Sequence, residues 1–284
     1  MKQENSQPTK TDQKAYSNNP FILTLDGIKH VFKHAKSVAI TLLIISVTFA
    51  LLGRTDSSDD TSNMMGASAA DNIDSSMIGV ILLVVLVVAV GITLASILLA
   101  GIADYTAAAT SRNEKVTLSK AVDAVFDHFF KYLWLRIVVF VKTVLWAVLF
   151  IIPGIYFSYR YRLAGVVFFA ENRSAMASID RSLKLTKGAW LTTFTSYTIF
   201  NIPTFWLAQL LADTGTSNQL YARYSRVVES GAKHPKPHAL SIIFPIVVVG
   251  VMIMAILSLA LIISANPEIF SPADSEFSLP TQSL

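Results

Sequence analysis

The sequence predicts an all-α fold, a polytopic membrane bundle of about six transmembrane helices with amphipathic interfacial helices between them. Three observations lead there. Hydrophobic residues make up 53% of the 284 residues and charged residues only 15%, where an ordinary soluble domain carries about 25% charged. The mean hydropathy is +0.53. Apolar runs of spanning length recur along the chain, separated by segments with apolar and basic residues at helical spacing. A chain this apolar cannot cover a surface with polar groups, which excludes a soluble enzyme, a disordered regulator and a fibrous protein.

Residues 1–19 are polar and lack the apolar core and small-residue cleavage site of a signal peptide, so they read as a disordered cytoplasmic tail. The membrane domain covers 20–265. Over 21–36, Ile22, Leu25, Ile28, Val31, Phe32 and Ala35 recur on one side of a helix and Lys29, Lys33 and Lys36 occupy the other. That pattern predicts an amphipathic helix lying at the interface, lysines toward the headgroups. A hydrocarbon core of ~30 Å takes ~20 helical residues, which places spans at about 37–53, 77–103, 133–152, 155–170, 190–212 and 239–265. The first two enclose a loop with Asp56, Asp59, Asp60, Asp71 and Asp74 against Arg54. Gly91 and Ala95, like Ser96 and Ala100, are four apart, and small residues let helices approach where lipid gives no hydrophobic driving force.

A second amphipathic stretch, 117–132, sets Val122, Val125, Phe126, Phe129 and Phe130 against Lys120, Asp123, Asp127 and Lys131. The third span is expected to break at Pro153-Gly154, where proline lacks a donor and glycine relaxes the backbone. The fourth opens on Tyr156, Phe157, Tyr159 and Tyr161, residues of an interfacial aromatic belt. A third amphipathic stretch, 174–187, opposes Ala175, Ile179 and Leu183 to Arg181, Lys184 and Lys187. The fifth span holds Asn201 and Pro203 and is expected to kink. A polar loop, 213–238, ends in His234-Pro-Lys-Pro-His238, the sixth span carries Pro245, and 266–284 reads as a disordered tail. Three times an amphipathic stretch leads into a span, and Val31-Phe32-Lys33-His34 parallels Val125-Phe126-Asp127-His128. Three copies of one unit would give this layout, and so would common amphipathic composition.

The chain has no cysteine, which excludes disulfides, thiolate metal sites and cysteine nucleophiles. Its net charge of +4 fits cytoplasmic Lys and Arg beside anionic lipid. No basic run with interleaved aromatics suggests nucleic acid. Most of the 23 Lys and Arg residues fall in the N-terminal segment, 104–136 and 171–189, which puts the N-terminus in the cytoplasm. A single crossing by 133–170 would fit the charges about as well, but it would leave Arg160 and Arg162 in the bilayer at ~2.5–3.5 kcal/mol each. That cost argues for two crossings.

From Ile152 the chain reads Ile152-Pro153-Gly154-Ile155-Tyr156, then Tyr159-Arg160-Tyr161-Arg162, Glu171, and Ser178-Ile-Asp-Arg181-Ser182-Leu-Lys-Leu185-Thr186-Lys187-Gly188-Ala-Trp190. This resembles the membrane domain attached to some bacterial glycerophosphoryl diester phosphodiesterases and the related YciC-like uncharacterised inner-membrane proteins. Ser178 stands where that pattern has alanine. The resemblance covers about forty residues closely and implies a multi-pass protein of the bacterial inner (plasma) membrane. It implies no catalysis, because the phosphodiesterase chemistry belongs to a separate soluble barrel.

Several residues stand out. Lys142 lies midway along the third span, where an ionisable side chain marks a functional site unless it snorkels to the interface; Glu171 or Asp104 are its candidate partners. Arg160 and Arg162 are candidates for phosphate or lipid-headgroup contact. Glu171, Asp180 and Arg181 read as a polar interfacial cluster, and Asn201 as a polar group that bonds carbonyls freed by Pro203. His30/His34 and His234/His238 have pair spacing but no third ligand nearby, so no metal and no cofactor are expected. The reading is a non-enzymatic membrane protein that interacts with lipid or scaffolds. Its expected partners are membrane lipids, above all anionic phospholipid, and a homo-oligomer or membrane-protein partner. The alternative is a small-solute transporter or channel using Lys142 and the helix broken at Pro153-Gly154.

Overall fold

The computed structural model describes residues 19–52, 75–200 and 208–266, and every regular element among them is a helix. The tails expected to be disordered fall almost wholly outside these residues, as do Asn201 and Pro203. Two units meet at Ser241 and Ile242.

In the first unit, α1 (Pro20–His34) starts behind Asn19, whose side chain accepts from the Phe21 amide at 3.0 Å. Pro20 sits at the first helical position, where its missing N–H costs nothing. The helix does not rest on lipid through its apolar face, as the sequence suggested. Leu23, Thr24, Gly27 and Val31 are buried, and the covering surface is protein. α2 (Lys36–Leu52) follows after Ala35. α3 (Ser75–Ser111) runs two turns beyond the expected 103. Its side chains are exposed over 78–96 and turn inward from Gly101, where Ala107, Ala108 and Ala109 are fully buried.

The stretch 117–132 divides at His128. α4 (Leu118–Asp127) is capped by Thr117, whose hydroxyl accepts from the Lys120 amide at 3.3 Å, and α5 (Phe129–Leu149) departs after it. α6 (Ile151–Tyr161) and α7 (Ala164–Glu171) complete the segment. The helix break falls at Phe150, with φ −158° and ψ 129°, and not at Pro153-Gly154. The physical reason is that a proline disrupts the turn before it: its ring collides with the carbonyl four residues back, here Leu149, and it offers that carbonyl no N–H. Pro153 itself lies in the first turn of α6, where an absent donor is tolerated. α5 and α6–α7 then run antiparallel. Trp146 stacks on Phe157 at 4.4 Å and Tyr132 lies against Phe168 at 5.9 Å. Gly154 approaches Ala147 so closely that a Cβ would stand 2.7 Å from its Cα. Residues 133–170 therefore double back.

α8 (Ala175–Leu185) ends before Gly188, which adopts φ +83°. Its Ala175 and Ile179 join Tyr132, Leu135, Tyr161, Ala164 and Phe168 in one core cluster. This elbow, too, presents its apolar face to protein and not to a leaflet. Of the expected span 190–212, residues 201–207 lie outside the described residues, and the expected loop 213–238 is overturned. α9 (Trp190–Thr198) has only 9 residues, and most of the loop is a 21-residue helix, α10 (Gln209–Glu229). α9 and α10 run antiparallel through Thr193–Tyr224 at 3.1 Å and Tyr197–Ser217 at 2.7 Å. Thr214, Gly215, Thr216, Ser217 and Asn218 are all buried, so α10 is enclosed around much of its girth. Small polar residues fill its contacts. The Thr24 hydroxyl meets Thr216 at 2.9 Å, and the Asn218 amide donates to Thr110 at 2.8 Å and the Ala107 carbonyl at 3.2 Å.

α11 (Ala239–Ala265) begins in the first unit and makes up the described part of the second. It continues through Pro245, and its side chains are exposed along nearly all its length. Among the described residues three helices, α3, α5 and α11, are long and apolar enough to cross a membrane, and α2 is a shorter apolar helix. The chain is a helical membrane protein.

Candidate functional site

The first unit is tied together by charge at a junction of α3, α5, α7 and α10. Asp104 is the single acid along α3. Its Oδ2 accepts from the Tyr132 hydroxyl at 2.7 Å and from Arg136 Nη2 at 2.8 Å. Tyr132 and Arg136 stand four apart on α5 and so share a face. Arg136 Nε also donates to the Tyr132 oxygen at 2.6 Å. The carboxylate rests on the α7 backbone at Gly165, where any side chain would occupy the position of Oδ2. Beside this triad, Arg162 in the turn between α6 and α7 donates to Asp213 of α10 at 2.5 Å, with its guanidinium 5.1 Å from the Tyr197 ring centre. Asp104 interacts electrostatically with Arg162 as well as Arg136. Two carboxylates and two guanidinium groups balance, so the junction carries no net charge.

Arg160 and Arg162, singled out as headgroup contacts, are both engaged by the protein. Arg160 donates to the Leu183 carbonyl at 2.5 Å, near the C-terminus of α8, where a cation offsets the helix dipole. Arg162 keeps 45% of its side chain accessible beside Asp213. Lys142 is half-buried on α5 and has no ion-pair partner among the described residues. The partners expected for it are taken: Asp104 by Arg136, Glu171 by two other arginines.

Glu171 and Arg181 do come together, with Arg181 Nε 3.0 Å from Oε1. Arg173 Nε donates to the other oxygen at 2.5 Å, the Tyr221 hydroxyl to Oε1 at 3.2 Å, and Arg181 also reaches Glu229 at 3.3 Å. Asp180 takes no part in this cluster. The His30 and His34 rings lie tilted against each other with centroids 4.3 Å apart, and His30 Nε2 is 3.1 Å from the Asn113 side-chain oxygen. No group of three His, Asp or Glu placed to hold a metal occurs among the described residues.

Sequence reasoning missed the Asp104–Tyr132–Arg136 triad and the Arg162–Asp213 pair. The signal for the first was present: a lone acid in an apolar helix and a tyrosine–arginine pair at helical spacing in the next. Asp213 gave none, because its helix read as a loop.

A second surface is chemically distinct. Along α4 and the start of α5, Phe126, Phe130 and Trp134 recur every fourth residue and all three are exposed, with Lys131 exposed among them. This row passes directly into the bare stretch of α5 that includes Ile137, Phe140 and Val141. Comparison with protein-family models, with curated proteins and with solved structures gives no match for the chain.

Proposed function

We propose that this protein is a non-enzymatic, multi-pass scaffold of the plasma membrane that engages anionic phospholipid at the cytoplasmic interface. The observation that carries the reading is the α4–α5 row, in which aromatic side chains and a lysine with no ion-pair partner among the described residues stand exposed where a bare apolar helix begins. Aromatic rings and lysine are the residues that settle at a bilayer interface, and lysine there favours acidic headgroups. The charge distribution supports a cytoplasmic N-terminus, with Lys29, Lys33, Lys120, Lys131, Lys184 and Lys187 on that side. The resemblance to phosphodiesterase-associated inner-membrane domains suggests the same setting.

In the layout we favour, α2, α3, α5, α6–α7 and α11 cross. α9, at 9 residues, reaches only about 14 Å, so α9–α10 is a hairpin within the body and does not supply a separate crossing.

The test is native mass spectrometry of the protein released from nanodiscs of equal phosphatidylglycerol and phosphatidylcholine. Preferential retention of phosphatidylglycerol is the expected result. Equal retention of both would overturn the reading.

A further inference from the structure

Deepening that reading, and resting on it, we infer that one phospholipid with an acidic headgroup binds in the groove between the start of α5 and the α7–α8 turn. The groove has a volume of about 570 Å³, and its walls include Phe130, Lys131, Trp134, Phe168, Arg173 and Ser174. Its wall carries two kinds of chemistry. Phe130 and Trp134, 81% and 59% exposed, give it a wide aromatic surface together with the buried Phe168. Lys131, with no ion-pair partner among the described residues, and Arg173 give it cations. Arg173 spends only Nε on Glu171, and its two terminal nitrogens have no hydrogen-bond partner among the described residues. A guanidinium with two free parallel donors matches two oxygens of a phosphodiester.

The backbone adds to these cations. Asn172 closes α7 in the left-handed conformation, φ 47° and ψ 46°. Ser174 then starts α8 in extended conformation without capping it through its side chain, so the first-turn amides of α8 are open to an anion.

The occupant is specified by the juxtaposition of these two chemistries in one groove. A soluble anion would use the cations and ignore the aromatic wall. An acyl chain alone would use the wall and ignore the cations. The groove opens at the foot of the bare α5 face, so a lipid with its headgroup at Lys131 and Arg173 would continue along Phe130 and Trp134 with its chains. Charge complementarity favours an acidic headgroup over a zwitterionic one.

The experiment is native mass spectrometry from the same nanodiscs, comparing wild type, Lys131→Gln/Arg173→Gln, Trp134→Ala and a charge-matched control, Lys184→Gln/Lys187→Gln. All substituted side chains lie at the surface or groove wall, and circular dichroism in detergent confirms folding. The expected result is one tightly retained phosphatidylglycerol on wild type and control. Its occupancy falls by roughly tenfold or more in the groove double variant, and Trp134→Ala also lowers it. Retention on wild type that is unchanged in the groove variants refutes the site and leaves the broader reading standing. A loss in the control as large as in the groove variant refutes the site in favour of diffuse attraction. No preference for phosphatidylglycerol on wild type refutes the broader reading, and the site with it.

Discussion

At the residue scale, Asp104 is the group on which the body depends most. Its carboxylate is 11% accessible, too buried to stay ionised without partners, and it has three: Tyr132, Arg136 and the more distant Arg162. Removing one member of a buried pair strands the other charge, at a cost of about 3–5 kcal/mol, while replacing both with apolar residues is often close to neutral. Arg136 keeps 30% of its side chain accessible, so the stranded charge finds some water and the lower end of that range applies. Asp104→Leu is therefore expected to destabilise the protein by about 3 kcal/mol, and Asp104→Leu/Arg136→Leu by clearly less. Thermal unfolding of the two variants in detergent decides. A double variant less stable than the single would show that the pair is not the unit that matters. Arg160 teaches the complementary lesson. An arginine near an aromatic belt looked like a headgroup ligand, yet a helix C-terminus of the same chain already uses it.

At the element scale, the contrast is between helices announced by apolar periodicity and helices that are not. α2, α3, α5 and α11 were legible because they are long runs rich in Val, Ile, Leu and Phe, and α1 and α8 because their apolar and basic residues alternate at helical spacing. α10 was not. Its buried residues include Thr214, Gly215, Thr216, Ser217 and Asn218, low in hydropathy and poor in helix propensity, and a pattern search discards them as loop. They belong inside for a different reason, since small side chains allow backbones to come close and hydroxyls satisfy one another. The break at Phe150 was misplaced by three residues because the signal is the proline and the damage is one turn earlier. The charge junction was half legible, for Asp104 drew attention while its true partners did not.

The α1–α10 crossing follows from this packing. Gly27 and Gly215 lie face to face, and a Cβ on Gly215 would stand 2.6 Å from the Gly27 carbonyl carbon. Alanine gains up to about 1 kcal/mol of helix propensity over glycine, whereas overpacking a rigid contact costs about 1–3 kcal/mol. Here the obstacle is backbone, which cannot rotate aside, so the clash wins. Gly215→Ala is expected to loosen α1 and speed tryptic cleavage at Lys29 and Lys33. Unchanged cleavage would mean the two helices are not packed this closely.

At the scale of the whole molecule, composition settled that this is a membrane protein, and the structure divides its first unit into bare apolar stretches and a polar-cored body. The amphipathic elbows looked like surface helices, but α1 and α8 spend their apolar faces on that body. What remains exposed for lipid is the outer half of α3, most of α5 and the row of Phe126, Phe130 and Trp134. The account therefore places α4 and the end of α8 on one side of the bilayer and the segment between α2 and α3 on the other. The absence of native cysteine makes this directly measurable. Single cysteines at Ser58, Lys120 and Lys187 would be labelled with a membrane-impermeant maleimide in sealed vesicles of known orientation. The account predicts that Lys120→Cys and Lys187→Cys react only from the cytoplasmic side and Ser58→Cys only from the opposite side. Labelling of all three from the same side would contradict it.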